Sequence, residues 1–156
     1  MTVTEHPSGR IPVFVDASVW IAAAASLTGG SSLVLEVCRG KRFAAICSQR
    51  VLLEAQQNIR DKMTTHEMVR FYQLLAAASP SLVPPAAAEA EAQYAEIVGP
   101  KDAHVVAAAV HGRAVFLVTL DHKHLANDRV RAAGLPLEAL TPGEFIQRIL
   151  AEHPAP

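Results

Sequence analysis

Short unbroken apolar runs recur along the chain, separated by longer stretches whose apolar residues return every three or four positions. The runs at 13–15, 43–47 and 114–119 predict strands, and their continuous apolar character fits strands covered on both faces. A further strand is expected within 135–140, and 81–83 reads as a short strand or a loop. The 3.6-residue period predicts helices at 19–27, along Leu33, Val34 and Val37, at 49–61, 65–78, 86–98 and 101–111, and after Thr141. Local signals punctuate these segments. Ser48 is placed to cap one helix, Thr64 with Glu67 forms a capping box, and Thr141, Pro142 and Glu144 open the last helix. Thr28-Gly29-Gly30, Pro84-Pro85 and Gly99-Pro100 act as breaks. Strands alternating with helices imply an α/β fold, a three-layer α/β/α sandwich around a central, mainly parallel sheet.

Composition narrows this picture. At 156 residues, 51% of them hydrophobic, the chain suits one well-buried core. The expected division is a flexible leader over 1–12, a single domain over 13–150 and a tail over 151–156. No apolar run is long enough to predict a membrane span, so no membrane partner is expected. The opening residues lack the apolar core of a secretory signal. Cys38 and Cys47 lie in apolar surroundings, which fits buried thiols in a reducing cytoplasm, with a disulfide as the alternative. A net charge of -1 provides no strong basic field.

Candidate chemistry lies in the acids. Asp16 follows the run Val13-Phe14-Val15, and Asp121 follows the run at 114–119 in the same manner. Parallel strands would deliver both carboxylates to one edge of the sheet, where open α/β folds keep their ligand crevices. Asp102 sits in the first turn of its helix, at the end of a stripe formed by Val105, Val106 and Ala109. Glu54 lies among Val51, Leu52, Ala55 and Ile59. Each has an ordinary alternative: Asp16 and Asp102 as helix-terminal groups, Glu54 as a solvated flank, Asp121 as the start of a turn. Gathered together, the acids would raise one another's pKa values unless a cation neutralised them. Oxygen ligation of that kind suits Mg²⁺ or Mn²⁺.

The ordered pieces Val-Phe-Val-Asp16-Ala-Ser18-Val-Trp, Glu54, Pro-Lys-Asp102-Ala-His-Val-Val and Phe-Leu-Val-Thr119-Leu-Asp121 resemble the PIN domain family. This is the metal-dependent ribonuclease fold used by toxins of VapBC-type toxin–antitoxin pairs, and Thr141-Pro-Gly-Glu-Phe-Ile is similar to the closing turn of its bacterial toxin-like branch. The resemblance covers about 13–150. It implies metal ligation and catalysis by Asp16, Glu54, Asp102 and Asp121, with Ser18 and Thr119 in support. It also implies an RNA substrate, an antitoxin partner and a homodimer. The chain departs from the pattern at Lys123, where the family often has a further acid.

Other features change the picture less. His122 and Lys123 are candidate phosphate contacts, while His122, His124, His104 and His111 lack the Cys/His spacing of a structural zinc module. Thr28-Gly29-Gly30-Ser31-Ser32 lacks the Gly-Lys-Ser/Thr of a phosphate loop. Trp20 reads as core or as a partner surface. The expected activity is metal-assisted hydrolysis of RNA phosphodiesters by water. A weakened binding domain is the alternative suggested by Lys123. A phosphatase acting through an aspartyl intermediate is disfavoured by Ser18, which stands where that chemistry wants a second carboxylate.

Overall fold

In the computed structural model, which describes residues 8–152, a five-stranded parallel sheet runs in the order β3-β2-β1-β4-β5. The strands are β1 (Ile11–Val15), β2 (Phe43–Ser48), β3 (Ser81–Val83), β4 (Phe116–Val118) and β5 (Glu138–Leu140). The helices are α1 (Ala17–Ala25), α2 (Gly30–Val37), α3 (Gln49–Lys62) and α4 (Thr65–Ala78), then α5 (Ala88–Val98), α6 (Ala103–His111), α7 (Asp128–Arg131) and α8 (Pro142–Glu152). Helix α1 packs with α2, α3 and α4, and α8 with α2, while α5 and α6 pair with each other. The result is the expected three-layer α/β/α sandwich.

The chain order explains where a crevice must form. From β1 it steps outward to β2 and β3, then returns past β1 to β4 and continues to β5. The direction of winding therefore reverses between β1 and β4, and the connections that leave these two paired strands in opposite directions open a cleft at their C-terminal ends. Asp16 and Asp121 follow those two strands.

Strand β1 begins at Ile11, inside the segment read as leader, and pairs Ile11 with Phe43 and Pro12 with Ala44. Proline normally disrupts a central strand because it lacks an N–H. Here β4 does not begin until Phe116, opposite Val13, and the Pro12 carbonyl accepts from Val115 N at 3.0 Å. The proline thus sits where the ladder on that side is only starting. Residues 1–7 and 153–156 lie outside the described residues.

Most caps form as the sequence suggests. Ser48 Oγ accepts from Val51 N at 3.1 Å, and the Thr64–Glu67 and Thr141–Glu144 pairs close reciprocally. The core contains Phe14 and Trp20, both fully buried, with Trp20 edge-on to Phe71 at 6.4 Å. Phe43, Phe116 and Phe145 cluster at centroid distances of 5.3 to 6.4 Å and tie α8 to the sheet. Gly112 lets the end of α6 approach the sheet closely, since a Cβ there would lie 2.6 Å from Val83 Cγ2. Cys38 and Cys47 are free and buried, and burial pushes both thiols up to about 12. Among the described residues no single helix is long and apolar enough to cross a membrane.

Candidate metal centre

Asp16 leaves β1 in extended backbone and starts α1, yet its carboxylate makes no capping bond to that helix. It is instead held by hydroxyls. Thr119 Oγ1 donates to Asp16 Oδ2 at 2.7 Å, and Ser18 Oγ donates to the same oxygen at 3.1 Å. Asp16 is only 8% exposed, and a carboxylate buried to that extent needs such partners. Oδ1 has no hydrogen-bond partner among the described residues. Both hydroxyls also accept from backbone amides of the segment after β4: Ser18 Oγ from Leu120 N at 3.0 Å and Thr119 Oγ1 from Asp121 N at 3.1 Å. One fully buried threonine thereby ties the acid after β1 to the acid after β4.

Asp121 opens a tight turn in which its Oδ1 accepts from His124 N at 2.9 Å and its Oδ2 lies 3.2 Å from His124 Nδ1. Asn127 braces this turn by donating to the His122 and Lys123 carbonyls while its Oδ1 caps α7, a short helix the hydrophobic pattern does not predict. Asp102 stands at the N-cap of α6, one position before the helix and not within its first turn, and it too makes no capping bond. Partial burial, then the charges of Asp121 and Asp16, push its carboxyl above the usual range. Glu54 stands on the exposed flank of α3 beside the buried stripe Val51, Ala55 and Ile59. Desolvation, then Asp16 and Asp102, raise its carboxyl, while Lys101 and Arg50 oppose the rise.

Asp102, Asp121 and His124 each offer a ligand atom within 4.8 Å of the others. Asp16 adjoins this group through Thr119, and Glu54 is linked to Asp16 and Asp102 by charge. His122 and Lys123 are exposed on the turn, and Lys123 forms no ion pair among the described residues. Sequence reasoning named the acids but gave His124 no ligand role, and it is the His124 ring that meets Asp121. The only local signal was its spacing three residues after an aspartate, the geometry of an Asx-type turn. Lys101 was likewise missed as a charge beside Glu54 and Asp102. The donor set, carboxylate oxygens with one ring nitrogen and too much negative charge in one place, fits a divalent cation.

The family model described as PIN domain matches residues 12–123, a span that takes in Asp16, Glu54, Asp102 and Asp121. Among curated proteins, none matches. Among solved structures, the chain is similar to VapBC2 from Rickettsia felis bound to a DNA fragment from their promoter. That likeness has a TM-score of 0.59 and 16% identity, over 84% of this chain and 98% of the other. PAE2754 from Pyrobaculum aerophilum is similar at a TM-score of 0.59 and 16% identity, over 90% of this chain and 96% of the other. At such identities the likeness concerns the fold. With β1 through β4 and all four acids inside the family match, the chain belongs to the PIN domain family.

Proposed function

We propose that the chain is a metal-dependent endoribonuclease and serves as the toxin of a toxin–antitoxin pair. The observation that carries this reading is the convergence of Asp102, Asp121 and His124 within 4.8 Å, beside an Asp16 whose carboxylate does not cap its helix. Asp16, Asp102 and Asp121 would hold Mg²⁺ or Mn²⁺, with His124 at the same cluster and Glu54 linked to it by charge. When bound, such an ion would supply positive charge against that of the phosphate and make an attacking water more acidic. The chain's own groups do the rest. Ser18 and Thr119 fix the orientation of Asp16, and Glu54, with its raised pKa, orients the attacking water and accepts its proton. Lys101, beside the acids, and the exposed Lys123 meet the negative phosphate.

The partner reading draws on the VapBC2 complex, to which the fold is similar. An antitoxin segment lying over the acidic crevice would block it. Exposed Leu27, Leu33, Val69 and Tyr72 on the neighbouring α1–α2 turn, α2 and α4 supply apolar surface for a homodimer. The test of chemistry is direct: Asp16→Asn and Asp102→Asn should each abolish Mg²⁺- or Mn²⁺-dependent RNA cleavage with unchanged circular dichroism. Cleavage at the wild-type rate would assign the activity to another site. Lys123 motivates a second reading, a binding domain with a weakened centre. Calorimetric titration with Mn²⁺ separates the two, because a dead centre gives no binding that depends on the acids.

A further inference from the structure

A cavity of about 500 Å³ opens beside the acids, and no step of the proposed cleavage uses it. Its size falls within the roughly 300–1,000 Å³ of small-molecule sites. It lies over the C-terminal ends of β2 and β3, next to the β1–β4 crevice on the same edge of the parallel sheet. The helices that carry the acids also wall it: Leu53 precedes Glu54 on α3, and His104 follows Asp102 at the start of α6. Two of its apolar walls, Leu53 and Leu82, are 55% and 56% exposed, so apolar surface is left uncovered here. Pro84 and the imidazole of His104 add flat faces, and Gln49 adds an amide with no hydrogen-bond partner among the described residues. Arg50 also lines the cavity, 65% exposed and only loosely paired with Glu91 at 3.6 Å.

We infer that this cavity receives one nucleobase of a single-stranded RNA, splayed out beside the phosphate held at the acids. The inference rests on the nuclease reading and adds a substrate class to it. Single-stranded RNA is recognised through unstacked bases that lie on flat side chains and present their edges to amides. Here Pro84, His104 and the leucines provide the faces, Gln49 reads an edge, and Arg50 meets the adjoining phosphate. A duplex cannot enter, because its bases stay stacked and paired.

The experiment titrates a short single-stranded RNA, and an abasic ribose-phosphate chain of equal length, into the protein with Ca²⁺ present. Wild type should bind the RNA on the order of tenfold more tightly than the abasic chain, as base stacking contributes. Leu53→Gln and Leu82→Gln change exposed residues without adding charge, so they should fold normally. Each should lose most of that preference while binding the abasic chain and Mn²⁺ as wild type does. Equal affinity of wild type for RNA and abasic chain, or unchanged RNA affinity in both variants, would overturn the base site and leave the metal centre standing. If wild type binds Mn²⁺ but neither oligomer, the nuclease reading itself falls.

Discussion

Thr119 is fully buried, and its hydroxyl serves both sides of the crevice, donating to Asp16 Oδ2 at 2.7 Å and accepting from Asp121 N at 3.1 Å. Thr119→Val keeps the shape and strips both bonds, leaving a buried carboxylate and an amide short of a partner. The expected loss is about 1–3 kcal/mol in denaturant unfolding, with weaker Mn²⁺ binding by calorimetry. Thr119→Ser should restore both, since Ser keeps the oxygen. If the valine variant matches wild type in stability and Mn²⁺ affinity, the hydroxyl does not position Asp16. Asp16, Asp102 and Asp121 drew notice because each stands after an apolar run or before a helical stripe, whereas Glu54 lies inside α3 beside its buried stripe. What could not be read was which oxygen of Asp16 is tied down, since Ser18 and Thr119 meet only when β1 and β4 pair. His124 was hidden for a related reason: the turn that folds it back on Asp121 is braced by Asn127.

At the scale of elements, local rules carried most of the fold. Ser48, Thr64 with Glu67, and Thr141 with Glu144 satisfy orphan amides of their own helices, so adjacent residues suffice to announce them. The capping box of α8 yields a pH prediction. Partial burial alone would raise the Glu144 carboxyl, but hydrogen bonds from Thr141 and the charge and hydrogen bonds of Arg131 outweigh it and hold the group below 4.5. A lowered folded pKa means stability that is present above the ordinary value and lost as pH falls through the folded one. Glu144→Ala should therefore cost about 1 kcal/mol near neutral pH, and its unfolding curve should converge on that of wild type as pH drops below 4.5. A gap that persists in acid would mean that the lost contribution is packing and not the box. Elements shorter than a helical turn or two were less legible. Strand β3 is a three-residue edge strand whose first two residues are exposed, so no alternation marked it. Helix α7 spans only four residues, too few for a period. The cavity beside the acids was not legible at all, because its walls come from α3, β3, α5 and α6 and meet only in three dimensions.

For the molecule as a whole, the crowded acids set a balance between stability and metal binding. Burial and mutual repulsion raise the Glu54 and Asp102 carboxyls above 4.5 and 3.8, so the folded chain retains protons that the unfolded chain releases. The stabilisation that goes with those protons is present below the ordinary values and disappears as pH rises through the raised ones. Metal-free protein near neutral pH therefore carries repulsion at the reversal of its sheet that Lys101 and Arg50 offset only in part. Asp102→Asn removes part of that repulsion, so the metal-free variant should melt at a higher temperature than wild type near neutral pH. The advantage should shrink as pH approaches the ordinary carboxyl values and the wild-type group takes up its proton. Mn²⁺ should reverse the order. At a hundredfold excess over its Kd, an ion that binds only the folded state adds about 2.7 kcal/mol, roughly 5–10 °C for a domain of this size. Wild type should gain that rise and Asp102→Asn should gain little. Thermal melts with chelator and with Mn²⁺, repeated across this pH range, measure both halves. A wild-type melting temperature indifferent to Mn²⁺, or an asparagine variant less stable than wild type in chelator, would show that these acids serve the fold and not an ion.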